Sequence, residues 1–246
     1  MKEPLIKFKS PDSRDYSFNP GEIIQINDSP KWRTKVGSFE LELDIVEPGI
    51  ASFVVMEQEQ PFLDYVGSLL ANAIAAQVSR SNILLVTAET KGSHFVPWVW
   101  KNLDNLSVAG ELEERVITLR KGSPKVYMIK STPAVSFESI TSGEKQTLRI
   151  SPNDEKFLKE VTAKGVEPVF VDDFIGRGGT IRAVCELFKK MNIEPPKLAA
   201  VIGSDGNLYE ENLADLDITL IPQPFPLRLP TFAQEGEAKE WKIISY

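Results

Sequence analysis

"VFVDDFIGRGGTIRAV", residues Val169 to Val184, decides how this chain is read. An apolar run ends in two adjacent carboxylates, Asp172 and Asp173. Gly176, Gly178 and Gly179 follow, and Ile181, Val184, Leu187, Phe188 and Met191 then recur at helical spacing. The string predicts a strand, a glycine-rich turn and a helix. In open α/β sheets, ligands bind beyond the carboxyl ends of the strands. A glycine-rich turn lets backbone N–H groups converge on an anion. The helix N-terminus adds partial positive charge, and the Thr180 hydroxyl can donate one more bond. Together these features describe a phosphate pocket. Two carboxylates beside a phosphate repel it unless they engage hydroxyls or a hydrated Mg²⁺. A ribose 5-phosphate satisfies both halves, with its phosphate in the loop and its hydroxyls on the carboxylates. Taken alone, "DD" before "GG" also fits a plain strand–turn–helix with surface aspartates.

The spacing excludes near alternatives. A Walker A loop needs G-x-x-x-x-G-K-[ST], and Gly178-Gly179-Thr180 carries no such lysine. A Rossmann G-x-G-x-x-G is absent as well. The lone histidine, His94, rules out a multi-histidine zinc site, and no G-x-S-x-G elbow exists for a Ser-His-Asp triad. His94 reads as a polar loop residue or, from its neighbours, as a ligand contact. The single cysteine, Cys185, excludes an intrachain disulfide and reads as a buried thiol in a reducing, cytoplasmic compartment. The formal net charge of −7 argues against a nucleic-acid coat or a binder of anionic membranes, so phosphate binding must be local. The opening "MKEPLIKFKS" lacks the apolar core of a signal peptide, and no apolar run approaches the roughly 18 residues of a membrane helix.

The 246 residues suit one large domain or a core with an appendage. Residues 1–60 hold "GEIIQIN", "FELELDIV" and "ASFVVME" between turn signals, which predicts a small β-rich N-terminal region. "PFLDYVGSLLANAIAAQV" is a helix with Pro61 in its first turn. "NILLVTAE", "ERVITLRKG" and "KVYMIKS" read as strands, and "SHFVPWVWKNL" as a helix interrupted early by Pro97. "SITSGEKQTLRIS" reads as a hairpin or mobile loop with a β return. "PNDEKFLKEVTAKG" reads as a helix capped by Asn153 or Asp154. "KLAAVIGSD" and "DITLIPQ" add two strands. Over residues 61–222, helices alternate with continuous apolar strands. That predicts an α/β fold, a parallel sheet with helices on both faces. Residues 223–246 are proline-rich and read as an irregular tail.

"VFVDDFIGRGGT" resembles the phosphoribosyl-pyrophosphate signature of the type I phosphoribosyltransferases, and its pattern lies nearest to the purine (adenine and xanthine) members. That signature is an apolar run, two acidic residues, a short apolar stretch and a Thr-Gly-Gly-Thr-like loop. Arg177 departs from it, standing where the family usually has Thr or Ser. "ILLVTAETKGSHFVP" is similar to the family's pyrophosphate loop. By that resemblance Lys91 and Gly92, with the backbone of Glu89 and Thr90, face pyrophosphate. "KVYMIKSTPAVSFESITSGEKQTLRIS" resembles the purine-branch segment in which a strand ends in "RK" and a flexible loop follows. Lys130 is then a second cation near pyrophosphate, and 142–145 the loop tip. "MEQEQPFLDYVGSLLANAIAAQV" is similar to the helix before the core in xanthine-type members, without their Asn-His-Gln. Residues 1–60 then form a hood. Trp32, Phe39 and Phe225 are aromatic candidates for stacking on a base, although each better suits a core.

The resemblance implies a Mg²⁺-dependent transfer of 5-phosphoribose from its 1-pyrophosphate to a nucleobase, a purine being favoured. Asp172 and Asp173 are the catalytic pair, and Ile175, Gly176, Arg177, Gly178, Gly179 and Thr180 hold the 5-phosphate. Lys91 and Lys130 draw off pyrophosphate. The ion travels on the substrate, with Asp172 the side chain to touch it. The partners implied are small molecules, with no nucleic acid and no membrane, and the family's habit implies a homodimer. Other readings on the same residues are an orotate-type transferase, a non-catalytic sensor of the phosphoribosyl donor, and a hydrolase of the same sugar phosphate.

Overall fold

The computed structural model describes residues 7–9, 15–17, 19–26, 29–46, 50–52, 58–78, 82–89, 91–105, 116–122, 133–138, 145–205, 212–222, 226–235 and 240–245. Strands β1 (Lys7–Lys9) and β2 (Asp15–Ser17) pair with each other. Next come β3 (Asn19–Ile26), β4 (Ser29–Val36), β5 (Phe39–Val46) and β6 (Ile50–Ser52). Helix α1 (Gln60–Gln77), strand β7 (Ile83–Ala88), helix α2 (Val96–Asn105) and strand β8 (Val116–Gly122) follow. Then come β9 (Ala134–Glu138), β10 (Lys145–Arg149), α3 (Pro152–Ala163), β11 (Glu167–Ile175) and α4 (Gly179–Lys190). The chain closes with β12 (Leu198–Asp205), β13 (Thr219–Ile221), β14 (Leu227–Leu229), β15 (Thr231–Glu235) and β16 (Glu240–Ser245).

The main sheet runs β13-β12-β11-β7-β8-β10-β9, with β14 paired to the far end of β12. From β13 to β8 every pairing is parallel. Strand β10 turns antiparallel against β8 and β9. All of β7 is buried, as a strand covered on both faces must be, which explains the nearly continuous apolar "ILLVTA" with only Thr87 polar. Leu84, Val86, Phe170, Ala199 and Val201 point to one core with α3 and α4, through Leu158, Val161, Val184 and Phe188. Ile83, Leu85, Val169, Val171, Ala200 and Ile202 point to the other, against α1 and α2. Gly67 is where those two helices meet closely: a Cβ there would lie 2.9 Å from the Trp98 carbonyl. The α/β architecture with helices on both faces is therefore the one expected.

A second sheet, β16-β15-β6-β5-β4-β3, lies on α1. Its strands alternate. Trp32, Thr34 and Val36 are buried, as are Leu41, Leu43 and Ile45, while Lys35, Glu40, Glu42 and Asp44 face outward. Trp32 packs edge-on to Phe232 with ring centroids 5.6 Å apart, and Phe39 edge-on to Phe62 at 5.5 Å. Both aromatic candidates serve the core; Phe225 lies outside the described residues.

Four local expectations are corrected. The tail is not irregular, because β14 extends the main sheet while β15 and β16 complete the second. Its alternation is short and broken by prolines, so its partners, rather than its own pattern, decide its conformation. The cap of α3 is Ser151, whose hydroxyl accepts from the Asp154 N–H at 3.1 Å, one step before the expected residues. Pro152 then occupies the first turn, where its missing N–H costs nothing. Pro97 likewise opens α2 rather than interrupting it. Strand β11 continues through the acidic pair to Ile175. Cys185 is a buried free thiol as expected, and burial pushes its pKa up. The "KVYMIKS" strand lies outside the described residues. Among those residues, no helix is long and apolar enough to cross a membrane.

Candidate functional site

Connection order locates a crevice. From β7 the chain crosses through α2 to β8, on one side. From β11 it crosses through α4 to β12, on the other. Beyond the carboxyl ends of β7 and β11 the crossovers diverge, and a doubly wound sheet opens there. Asp172 and Asp173 stand at that end of β11.

Both aspartates are buried, at 4% and 9% relative exposure. Buried carboxylates need donors. Asp172 Oδ1 accepts from the Asp173 N–H at 3.0 Å, and Asp173 Oδ1 from the Phe174 N–H at 2.8 Å. Each side chain thus bends back onto the following amide. The strand end is stiffened, and the carboxylates are set in place by bonds along their own backbone.

A cation missed in the sequence faces them. Lys121, near the end of β8, is half-buried. Burial pushes its pKa down, and the nearby Asp172 and Asp173 charges pull it back up. Its ammonium also sits over the Phe137 ring, 5.3 Å from the centroid. Strand β8 is two strands from β11, roughly 10 Å at the usual spacing, and a lysine stem covers most of that gap. The signal was in the sequence: Ile117, Leu119 and Lys121 share one face by alternation, and "VITLRK" is a strand that ends in "RK". The expectation of such a strand end was attached to Lys130, which lies outside the described residues.

The glycine-rich turn takes the predicted form. Gly178 is the residue before α4, with left-handed φ 76° and ψ 10°, and no side chain caps the helix. A Cβ on Gly178 would also come within 2.5 Å of Leu213, so backbone and space both require glycine there. Ile175 is buried, Gly176, Gly179 and Thr180 are half-buried, and Arg177 is exposed. Helix α4 carries no acidic residue of its own in its first turn and Lys189 and Lys190 in its last, as suits the helix dipole.

On the β7 side, the Glu89 N–H donates to the Leu119 carbonyl at 2.7 Å and ties the ends of β7 and β8 together. The Glu89 side chain is exposed, and Thr90 lies outside the described residues. Lys91 and Gly92 open a short 3-10 turn, Lys91–His94, which packs against β11. His94 in that turn is exposed. The fold thus brings the turn holding Lys91 and Gly92, the end of β8 and the acidic pair to one edge of the sheet. Among the described residues, no group of three or more His, Cys, Asp or Glu forms a metal cage. Two hard carboxylate donors fit a Mg²⁺ that keeps waters or phosphate oxygens for its remaining positions.

No family model matches the chain, and no curated protein matches it. Solved structures to which it is similar include adenine phosphoribosyltransferases. The enzyme from Thermoanaerobacter pseudethanolicus is 20% identical, with 74% of this chain and 87% of that one covered and a TM-score of 0.46. That from Giardia lamblia, complexed with 9-deazaadenine, is 14% identical over 85% and 93%, with a TM-score of 0.49. The Trypanosoma brucei enzyme, in complex with AMP, pyrophosphate and ribose-5-phosphate, is 12% identical over 69% and 67%, with a TM-score of 0.48.

Proposed function

We propose that the protein transfers a 5-phosphoribosyl group from 5-phosphoribosyl 1-pyrophosphate to a ring nitrogen of a nucleobase. The observation that carries this reading is the buried Asp172–Asp173 pair, with Lys121 in its field, at the point where the crossovers diverge. The bond between C1 and the pyrophosphate oxygen breaks, and its electron pair leaves on pyrophosphate. The nitrogen lone pair of the base closes the new C1–N bond, and the base gives up a proton to solvent. Asp172 and Asp173 hold the ribose hydroxyls and face the positive charge that grows on the sugar. Gly176 to Thr180 hold the 5-phosphate on backbone N–H groups, with the Thr180 hydroxyl and the exposed Arg177 at its rim. Lys121, with Lys91 from the turn before α2, faces the charge that grows on pyrophosphate. Asp172 would hold a Mg²⁺, which would supply further neutralisation of the leaving group's charge when bound. None of these roles needs a histidine or a cysteine. A purine is the favoured base, on the sequence pattern around Lys130.

Incubation with phosphoribosyl pyrophosphate, Mg²⁺ and a panel of bases tests the proposal. Nucleotide and stoichiometric pyrophosphate are the expected products. Tight donor binding without product selects a sensor instead. Pyrophosphate release without base selects a hydrolase.

A further inference from the structure

We propose that the turn 212–216, between β12 and β13, is a positioning element that keeps the phosphate loop in its ligand-ready shape before a ligand arrives. This rests on reading the loop as the 5-phosphate cradle. Two contacts hold the turn on that loop. Leu213, buried at 6% exposure, lies where a Cβ on Gly178 would be. Arg182, in the first turn of α4, grips the other end. Its Nη1 donates to Asp215 Oδ2 at 2.8 Å and its Nη2 to Asp215 Oδ1 at 2.6 Å. Nη2 also donates to the Asn212 carbonyl.

The same arginine closes the helix. Its backbone N–H donates to the Gly178 carbonyl at 2.9 Å. Arg182 therefore joins the left-handed glycine to the turn through both backbone and side chain. The turn itself is closed by the Leu216 N–H on the Leu213 carbonyl at 2.9 Å, and both leucines join the core shared with α3 and α4. It is a wedge anchored in the interior rather than a flap.

Such a wedge has work to do. Converging N–H groups repel one another until an anion arrives, and a left-handed residue persists only where its surroundings over-determine it. Without support, an empty loop relaxes and must be re-ordered on binding, which lowers affinity. Asp215 is suited to support rather than to ligand contact, since its carboxylate engages both terminal nitrogens of Arg182 in a forked pair.

Isothermal titration of the full chain with ribose 5-phosphate, and separately with pyrophosphate, tests this in D215N, D215E and L213A. A loosened cradle should weaken ribose 5-phosphate about tenfold in D215N and L213A, less than the roughly 100-fold that a 1 Å misplacement costs a reacting group. Pyrophosphate affinity should stay within about twofold, and D215E should recover most of the loss, as expected of a site whose support, not its ligands, has changed. Melting curves establish that each variant is folded at the titration temperature. D215N sits on the surface, so the test survives if L213A does not fold. Unchanged or tighter ribose 5-phosphate binding by D215N overturns the inference, as does an equal loss of both ligands. Wild-type protein that binds no ribose 5-phosphate sinks the cradle reading itself, a separate outcome.

Discussion

Two surfaces of this molecule carry acidic and basic side chains on strands, and they use them in opposite ways. On the outer face of the second sheet, charges stand in cross-strand register. Arg33 reaches Glu42 at 2.8 Å, Glu22 at 3.5 Å and Glu40 at 3.7 Å, and Lys31 reaches Asp44 at 3.2 Å. The carboxylates of this ladder are exposed while Arg33 and Lys31 are half-buried, and the Glu42 hydrogen bond and the neighbouring carboxylates raise the Arg33 pKa further, with no consequence for its charge. At the carboxyl edge of the main sheet, Asp172 and Asp173 are buried and Lys121 is half-buried. The carboxylates of Asp172 and Asp173 are adjacent, and burying charged groups without a counter-charge costs free energy. Exposed ladders keep a sheet soluble and in register. On the proposed reading, the buried pair at the strand end serves what it binds.

The sharpest way to break that contrast is to remove the buried charges. Asp172→Asn with Asp173→Asn should lower nucleotide formation by at least ~10³-fold, the scale on which pre-organised charge acts in a dry site. The fold should persist, because the amides keep a carbonyl to accept from the Asp173 and Phe174 N–H groups. Circular dichroism and a melting curve check the fold. Collapse of the structure would mean that the pair is architectural, and the contrast with the outer ladder would vanish.

The second sheet should fail in the opposite manner. Phe232→Ala removes a ring that is 2% exposed and packed on Trp32, and should cost about 3–5 kcal/mol of stability. Urea unfolding measures it. Affinity for ribose 5-phosphate should hold under folding conditions, since β15 belongs to the second sheet.

Lys121→Ala should cost about 10²-fold in kcat/KM while leaving ribose 5-phosphate affinity nearly intact, as loss of one charge facing the leaving group does. The pH behaviour of this lysine sharpens the comparison. Its folded pKa is lowered, so the native state binds this proton less tightly than the unfolded chain. Its contribution to unfolding free energy therefore rises with pH, from the folded pKa up to the unfolded value of about 10.4. In the Asp172→Asn, Asp173→Asn background the carboxylates no longer pull it up. NMR of ¹³C-methylated lysines should show its pKa lower still; a pKa that does not move would mean the three groups do not share a field.

How much of this was legible beforehand follows the physics of each element. The core sheet was readable because a strand covered on both faces is buried throughout and mostly apolar, as β7 is, and because the acidic pair, glycines and helix of 169–184 form one uninterrupted local device. Strands β15 and β16 were not readable as part of the second sheet: β15 pairs with β6, some 180 residues away in sequence, and β16 joins only through its hairpin with β15. Lys121 was missed for a different reason. Its alternation with Ile117 and Leu119 was visible, but only the three-dimensional order β11-β7-β8 brings it opposite Asp172. Turn 212–216 was hidden likewise, since Leu213 means nothing until it is seen against Gly178.

The smallest effect belongs to the outer ladder. Glu42→Gln removes the shortest of the Arg33 ion pairs, yet exposed pairs of this kind contribute little, and Glu22 and Glu40 remain within reach of the same guanidinium. Neither the melting temperature nor donor affinity should change measurably, and raising the salt should leave wild type and variant alike. Asp215→Asn offers a control between the extremes, because it too breaks a surface arginine pair. The Arg182 bonds hold the Asp215 pKa at about 2, below the unfolded value, so this pair adds stability above about pH 4 and loses it as pH falls toward 2. If Glu42→Gln weakened ribose 5-phosphate binding as much as Asp215→Asn, distance from the loop would be irrelevant, and the difference drawn between a ladder in water and charges built around a crevice would have no physical content.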